Sequence, residues 1–421
     1  MTNGQAHTHE PGSLFREHSE RGQRVRPMEL FFDLVYVFAI TRISHHLVEH
    51  LTLHGAAQAL MLLFAIWWAW ISTSWVANWL DPDRPLVRAM LIGVMLASLG
   101  MAVALPDAFG ERGLFFAVCY VAIQVGRSVF MVAVLEPGGP LHRNFLRITV
   151  WYAAGGLLWL AGRFAEGLSR ELLWLGALLL DTLAPAAGFW TPGLGRSQTA
   201  DWTIHGGHLA ERCQLLVIVA LGESILVTGA TTARLPLAPP TVIAFIIAFL
   251  GSVAMWWIYF SRSAEAGSEI MAGSRDPGRL GRSAYTYYHL PMVAGIIVAA
   301  VGDELTIAHP NDTGSLLTSV VNLGGPALYL VGHSLFKQSV FGILPRTRLI
   351  ALFALAALVP VGLVTSNVVV SAAATLVLWS VAGWEAWAYR DYVHPAESAD
   401  GYDGPAVTSS DPEPATSREA I

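Results

Sequence analysis

The sequence predicts an all-α, polytopic membrane protein, a transmembrane helix bundle of about twelve spans. Of its 421 residues, 54% are hydrophobic and only 13% are charged, about half of the charged share of a typical soluble domain. The apolar residues occur in blocks of about 20, the length of a helix that crosses a bilayer core. This composition excludes a cytosolic enzyme. The net charge of -6 and the scattered arginines exclude a nucleic-acid-binding protein.

Two polar tails flank the apolar spans. Residues 1–26 and 393–421 lack hydrophobic periodicity and have compositions typical of disorder, so both are predicted to be disordered tails. No signal-peptide pattern precedes the first span. The last two spans are divided only around Ser366 and Asn367, so either a tight hairpin lies there or the count is wrong by one. In order, the predicted spans are 28–48, 57–80, 86–105, 114–135, 145–161, 172–190, 209–232, 240–261, 284–305, 316–337, 349–365 and 368–389.

Positive charges in the loops predict the orientation of these spans, because cytoplasmic loops carry an excess of lysine and arginine. With the N-terminus inside, nearly all arginines of the tails and loops fall on the inner side. We therefore expect a multi-pass protein with both termini in the cytoplasm. The outer loops then hold only Arg112, Arg163, Arg170 and Arg234.

The two halves of the chain resemble each other. VGRSVF in the fourth span matches VGHSLF in the tenth, and the Trp-Trp pair of the second span matches that of the eighth. A glutamate followed by LVYVFAI in the first span parallels a glutamate followed by LLVIVAL in the seventh. These matches keep one order, which predicts a duplication. Since each half has six spans, the repeats at 27–192 and 193–392 are expected to run parallel.

The first span, ELFFDLVYVFAITRISHHL, carries two carboxylates. Glu29 and Asp33 are four residues apart, so on a helix they share a face, about 6 Å apart along the axis. A charge inside a bilayer needs a partner or an aqueous path. The pair is therefore a candidate to bind a cation or to share a proton. Alternatively, Glu29 only caps the start of the helix and Asp33 alone is buried.

The seventh span supplies two more acids and a candidate metal site. Glu223 lies roughly 18 Å deeper than Glu211 along the helix, which makes it the most deeply placed acid. It is a candidate proton carrier, although a structural hydrogen bond to another helix would also explain it. His205, His208 and Glu211 follow the spacing i, i+3 and i+6, which can bring ligands to one metal. The alternative is that these residues form a helix cap at the membrane interface.

The fourth and tenth spans each contain a buried base. Arg127 lies about thirteen residues into its span, too deep to reach the interface, and its equivalent in the second half is His333. We predict that Arg127 pairs with Asp33 and that His333 lies near Glu211. Such pairs would act either as fixed links between helices or as part of a gate or proton relay.

The ninth span completes the candidate ion or proton pathway with His289, in YYHLPM, and Asp303 near its outer end. His289 alternatively bonds only to a helix broken at Pro291. The sequence contains no Walker motif, HExxH, GxSxG or CxxC, which are the signatures of ATP hydrolysis and of familiar hydrolases. We therefore expect neither an enzyme nor a bound cofactor.

Three segments resemble one known family. ELFFDLVYVFAITRISHHL, HLAERCQLLVIVALGESIL and YYHLPMVAGIIVAAVGDEL are similar to the bacterial low-temperature-requirement A (LtrA) family, and the resemblance extends over residues 26–389. It implies a polytopic inner-membrane protein linked by name to growth in the cold, with no established reaction or substrate. The stretch 214–220 lacks the aromatic residue that the family pattern has there. The resemblance marks as family-type polar residues Glu29, Asp33, Glu211, Arg212, Glu223 and His289.

Two functions fit these features. A secondary transporter or proton- or cation-coupled permease for an unknown small solute or ion uses parallel halves with inward-facing charges. A non-transport sensor or accessory factor for growth at low temperature would keep those charges static and would bind partners through its tails or the 261–283 loop. A buried polar cavity between the halves would favour transport. The lipid bilayer is an expected partner, nucleic acid is not, and a homo-oligomer is allowed.

Overall fold

The computed structural model describes residues 14–16, 25–198, 202 and 204–388. Within these residues the chain is helical, and the only β-structure is three isolated bridges. The α-helices are α1 (Pro27–Glu49), α2 (Leu53–Trp79), α3 (Pro85–Ala104), α4 (Gly113–Val134), α5 (Pro140–Ala161), α6 (Leu168–Leu183), α7 (Gly206–Ala233), α8 (Pro239–Phe260), α9 (Ser263–Ala272), α10 (Pro277–Leu280), α11 (His289–Ala308), α12 (Leu316–Phe341), α13 (Arg346–Gly362) and α14 (Asn367–Ala388). A π-helix, Gly281–Tyr287, joins α10 to α11.

Local sequence signals set many of these helix ends. Proline occupies the first turn of α1, α3, α5, α8 and α10, where its missing N–H has no helical partner to lose. Ser315 caps α12 by accepting a hydrogen bond from the backbone of Thr318. At the other end of α12, Gly342 has a φ of 70°, the left-handed conformation in which glycine ends helices.

Nine described helical segments are long and apolar enough to cross a membrane. Their outer surfaces also expose large apolar side chains, such as Leu96 at 71% and Leu157 at 70%, which in water would form unfavourable patches. The predicted multi-pass, all-helical membrane protein is therefore confirmed. The nine segments are Pro27–Glu49, Leu53–Trp79, Pro85–Asp107, Gly113–Val134, Pro140–Phe164, Gly206–Ala233, Pro239–Ala272, Pro277–Ala308 and Asn367–Ala388.

The first helix of each predicted half lies at the centre of the described bundle. α1 packs against α2, α3, α7 and α11, and α7 packs against α1, α8, α9 and α11. The most extensive helix contact joins α11 to α12. Glycines permit it, because a Cβ at Gly295 would collide with the backbone of Tyr329, and one at Gly325 with the backbone of Ala299.

The described part of the N-terminal tail contacts the bundle. The backbone N–H of Arg16 donates to the carbonyl of Trp79, and that of Asp81 donates to the carbonyl of Leu14, both at 2.9 Å. Leu14–Arg16 therefore pair with the end of α2, and for these three residues the prediction of a disordered tail is wrong. The other tail residues, apart from Val25 and Arg26, lie outside the described ranges, as does 393–421.

Candidate functional site

Glu29 is the centre of a buried cluster of charges at the end of the bundle where α1 begins. Its side chain is 0% exposed. One carboxylate oxygen, Oε1, accepts a hydrogen bond from His208 Nε2 at 2.9 Å and lies 3.4 Å from Arg212 Nη1. The other, Oε2, lies 2.8 Å from Arg16 Nη2 and accepts from the backbone N–H of Arg26 at 2.9 Å. Glu29 thus caps α1, as one interpretation predicted, and also contacts the guanidinium groups of Arg16 and Arg212.

Arg212 joins the two carboxylates of α1. Its Nη2 donates to Asp33 Oδ1 at 2.6 Å, while Nη1 faces Glu29. The indole Nε1 of Trp70 donates to the same Oδ1 at 2.8 Å. The guanidinium carbon of Arg212 also lies 5.5 Å from the ring centroid of Phe32. A planar fork of donors can bridge carboxylates one helical turn apart in a way that a lysine cannot.

The hydrogen bonds around His208 fix its tautomer. The Oδ1 atom of Asn78 accepts from the backbone N–H of His205 at 2.7 Å, so its amide nitrogen points the other way. That Nδ2 donates to the His205 carbonyl and to His208 Nδ1, at 2.8 and 3.1 Å. Since Nδ1 accepts a hydrogen bond, the ring proton is on Nε2, which donates to Glu29.

We call Arg16, Glu29, Asp33, His208 and Arg212 the charge network. It contains two arginines and two carboxylates, and a neutral His208 leaves it without net charge. All five residues are less than 10% exposed. The network ties the N-terminal segment, α1 and α7 together, and breaking a buried ion pair of this kind costs about 3–5 kcal/mol.

The predicted ion pair between Arg127 and Asp33 is wrong. Asp33 binds Arg212 instead, because α7 and not α4 faces that side of α1. Arg127 Nη1 donates to Thr73 Oγ1 at 2.7 Å and to the Ala69 carbonyl at 3.3 Å, and Nη2 donates to Gln124 Oε1 at 2.5 Å. Arg127 is nonetheless buried, at 2% exposure, as its depth predicted.

Arg127 belongs to a second polar chain that sequence reasoning missed. Gln124 also donates to the hydroxyl of Tyr120 at 3.1 Å, and this hydroxyl donates to Asp181 Oδ2 at 2.8 Å. Asp181 is 2% exposed. The signal was present, because Asp181 is an acid within the predicted span 172–190, just as Asp33 is within the first span.

The described residues do not assemble the candidate metal site. Both ring nitrogens of His208 are occupied by Asn78 and Glu29, while Glu211 accepts a hydrogen bond from the backbone N–H of Val25 at 3.1 Å. His208 and Glu211 therefore turn to different partners, and the three candidate ligands do not converge. Among the described residues no group of three or more His, Cys, Asp or Glu is arranged to hold a metal ion.

Glu223 lies apart from the charge network, fifteen residues after His208 and therefore about 22 Å farther along α7. It is 1% exposed, so the predicted burial is confirmed. Its Oε2 accepts a hydrogen bond from Thr41 Oγ1 of α1 at 2.6 Å. This contact is of the kind that the structural interpretation predicted, and it gives α1 and α7 a second polar link.

The other candidates in the second half are separate from these clusters. His289 Nδ1 donates to the Ala284 carbonyl at 2.9 Å, a group in the π-helix, and its Nε2 accepts from the hydroxyl of Tyr259 at 2.8 Å. His333 packs among aromatic rings, 6.2 Å from the centroid of Tyr329, rather than beside Glu211 as predicted. Asp303 is half-buried near the end of α11.

A cavity of about 80 Å³ lies against the opposite face of α2. Trp70 bonds to Asp33 on one side of this helix, while Trp68, Trp75 and Trp79 follow helical spacing along the cavity. Arg127 and Tyr152 line it from α4 and α5, and residues of both predicted halves contribute. We call it the aromatic cavity, because its lining includes Trp68, Trp75, Trp79, Phe145, Tyr152, Phe189 and Trp202, with Arg127 and Arg282 as its charged members.

The comparison with a family model covers the aromatic cavity and the charge network except Arg16. The family model of the bacterial low temperature requirement A protein (LtrA) matches residues 24–383. An uncharacterized protein of Rhizobium meliloti (strain 1021) is 37% identical over 380 residues, which are 90% of this chain and 92% of that protein. No solved structure matches the chain.

Proposed function

The chain belongs to the bacterial low-temperature-requirement A (LtrA) family, and on that premise we propose that it is a proton- or cation-coupled secondary transporter of the inner membrane. The observation that carries the proposal is the aromatic cavity, to which both halves of the chain contribute. Transporters built from repeats bind their solutes at such an interface between halves. A static scaffold has no need of a cavity there.

The packing of the helices supports a parallel six-plus-six arrangement. In the first half, α1 contacts α2 and α3, and α4 contacts α3 and α5. The corresponding helices of the second half repeat this pattern, because α7 contacts α8 and α11, and α12 contacts α11 and α13. Counting α6, α12 and α13 as spans gives twelve in all. With twelve spans both termini lie on one side, and the arginine distribution favours the cytoplasm.

Coupling to an ion would act through the charge network. α1 and α7 are the first helices of the two halves and touch each other at the network, so rocking of one half against the other would strain the Arg212–Asp33 contact. A proton or cation that neutralises Asp33 would weaken its hold on Arg212 and favour the opposite state. Such differential binding between two states is what couples an ion to a conformational change.

A membrane sensor or accessory factor for growth at low temperature is the second candidate. The observation in its favour is the way that donors surround Glu29 on both oxygens, from three different side chains and one backbone N–H. A network as complete as this suits a fixed link between helices as well as a gate.

Flux through reconstituted protein tests the proposal. Liposomes containing the purified protein and a trapped pH-sensitive dye are challenged with a panel of organic anions, cations and neutral solutes. We expect a solute-dependent pH change with the natural protein and with the control Asp83→Asn, whose carboxylate is 58% exposed. Asp33→Asn keeps the Oδ1 acceptor and is expected to abolish the change.

Absence of any solute-driven change across the panel, in vesicles shown to contain folded protein, would contradict transport. Full rescue of growth in the cold by Asp33→Asn, together with that absence, would favour the sensor.

A further inference from the structure

The lining of the aromatic cavity is mainly apolar. Trp75 Nε1 donates to Thr286 Oγ1 at 3.0 Å, and Trp202 Nε1 donates to Ser197 Oγ at 2.7 Å. Trp202 also packs edge-to-face against Trp75, with ring centroids 5.5 Å apart. Because these indole N–H groups already have partners, the walls offer a bound molecule mainly dispersion and hydrophobic contact.

The charged groups of the lining are both cationic. Arg127 and Arg282 are its only charged members, and no aspartate or glutamate of the described chain lines the cavity. Boxes of aromatic rings often bind ammonium groups through cation–π attraction. Here two guanidinium groups would repel a cation, so the charge of the lining favours an anion.

Arg127 has unused donors and lacks a directly bonded carboxylate. Its three hydrogen bonds, to Ala69, Thr73 and Gln124, all go to uncharged oxygens. Of the five N–H donors of a guanidinium, these leave the Nε–H and one N–H of Nη2. The nearest acid in its chain, Asp181, is reached only through Gln124 and Tyr120. A carboxylate in the cavity would accept from these donors and balance the buried charge.

The size of the cavity limits the bound molecule. Since roughly 10–15 Å³ of such volume holds one water, about 80 Å³ has room for several waters or for one small organic molecule. A single ring with a carboxylate fits this description, whereas a lipid with two acyl chains does not.

We propose that the aromatic cavity binds a small organic carboxylate with one ring-sized apolar body, its carboxylate on Arg127 and its body between the tryptophan rings. The proposal rests on the proposed function, because it names the substrate class of the transporter. The binding proposal and the transport proposal can be tested separately, because ligand binding is measured in an assay that does not involve transport.

Equilibrium dialysis of radiolabelled benzoate against the full-length protein, in an uncharged detergent, tests the inference. We expect saturable binding of benzoate. Benzamide, which lacks the charge, and acetate, which lacks the ring, are expected to compete at least tenfold more weakly, equivalent to about 1.4 kcal/mol. The assignment is overturned if benzoate shows no saturable binding or if benzamide competes equally well. It is also overturned if benzylamine, which carries a positive charge on the same ring, competes more strongly than benzoate.

The source of the carboxylate is tested in the same assay with oleate, a lipid-derived carboxylate. Weaker competition by oleate than by unlabelled benzoate supports a ring-sized solute. Tighter binding of oleate overturns the size assignment.

Variants locate the site. Arg127→Gln is expected to weaken benzoate binding at least tenfold while leaving benzamide binding within a factor of about two, given the loss of a charge-assisted hydrogen bond. Trp202→Ala, at a half-buried position, is expected to weaken both ligands. The control Arg163→Gln removes an exposed arginine that does not line the cavity and is expected to change neither. Unchanged benzoate binding in both folded cavity variants would place the ligand elsewhere.

Benzoate binding without any flux would uphold this inference and count against transport. Flux of another solute without benzoate binding would uphold transport and overturn the substrate class.

Discussion

Arg212 is the residue on which the charge network depends, because among the described residues it alone contacts both carboxylates of α1. Replacing it with glutamine would leave Asp33 buried with only the indole N–H of Trp70 as a donor. We predict that Arg212→Gln lowers the free energy of unfolding by about 3–5 kcal/mol, measured by thermal or denaturant unfolding in detergent. Adding Asp33→Asn to Arg212→Gln is expected to recover part of this loss. Additive losses in the double variant would contradict a direct pair.

Glu223 tests whether a deep carboxylate carries a proton or only links two helices. Glu223→Gln keeps an oxygen that can accept from Thr41 but removes the group that titrates. We predict a normally inserted protein of near-natural stability that has lost its proton-linked activity in liposomes. The matched control is Glu166→Gln at an exposed position. Full pH-dependent activity in Glu223→Gln would make Glu223 a packing residue.

The first span shows what could be predicted at the residue scale. Spacing placed Glu29 and Asp33 on one helix face, and the structure brings them to one arginine. Their partner was missed because spacing along one helix says nothing about which other helix lies opposite. Arg212 was marked only by family resemblance, and its neighbour Glu211 was preferred although it faces elsewhere.

At the scale of elements, the short N-terminal segment Leu14–Arg16 acts as a clamp on α1 and α2. Arg16 Nε lies 2.9 Å from the carbonyls of both Ala77 and Leu80, and Nη2 contacts Glu29. Buried arginines that bond both a carboxylate and backbone carbonyls hold elements in register. No hydrophobic pattern marks this segment in the sequence.

We predict that Arg16→Ala destabilises the protein far more than Arg84→Ala. Arg84 also pairs with a carboxylate, that of Asp81, but is 41% exposed, and exposed pairs contribute about 0–1 kcal/mol. Loss of the buried Arg16–Glu29 pair is expected to cost about 3–5 kcal/mol. Unfolding in detergent measures both, and similar small losses for the two variants would show that the segment is not a clamp.

Helix limits were predicted well where apolar length alone decides them. The predicted span 368–389 corresponds to Asn367–Ala388, and a short connection of the kind that the hairpin alternative predicted lies between α13 and α14. The span 172–190 was placed too late, because α6 ends at Leu183 and turns follow. The 261–283 segment, predicted as a loop, contains α9 and α10, and the π-helix that follows depends on packing that the local sequence does not encode.

At the scale of the whole molecule, the number of spans decides where the termini lie. α6 has 16 residues and α13 has 17, close to the lower limit of about 17 for a helix that crosses a bilayer. If all twelve long helices cross the membrane and the N-terminus is cytoplasmic, residue 389 lies inside and Glu166 outside. A periplasm-dependent reporter fused after residue 389 then gives no signal, and one inserted near Glu166 gives a strong signal. Strong activity of the C-terminal fusion would overturn the twelve-span topology or its orientation.

The central claim is that the aromatic cavity opens alternately to the two sides of the membrane. Ser72, which lines the cavity and is half-buried, is replaced by cysteine, and the buried native Cys119 and Cys213 give little background. A membrane-impermeant maleimide is applied to right-side-out and inverted vesicles, with Asp83→Cys and Glu111→Cys as markers of the inner and outer sides. The account predicts labelling of Ser72→Cys from the inner side without a pH gradient, and from the outer side once a gradient is imposed. Labelling from one side only, under both directions of the gradient, would contradict it.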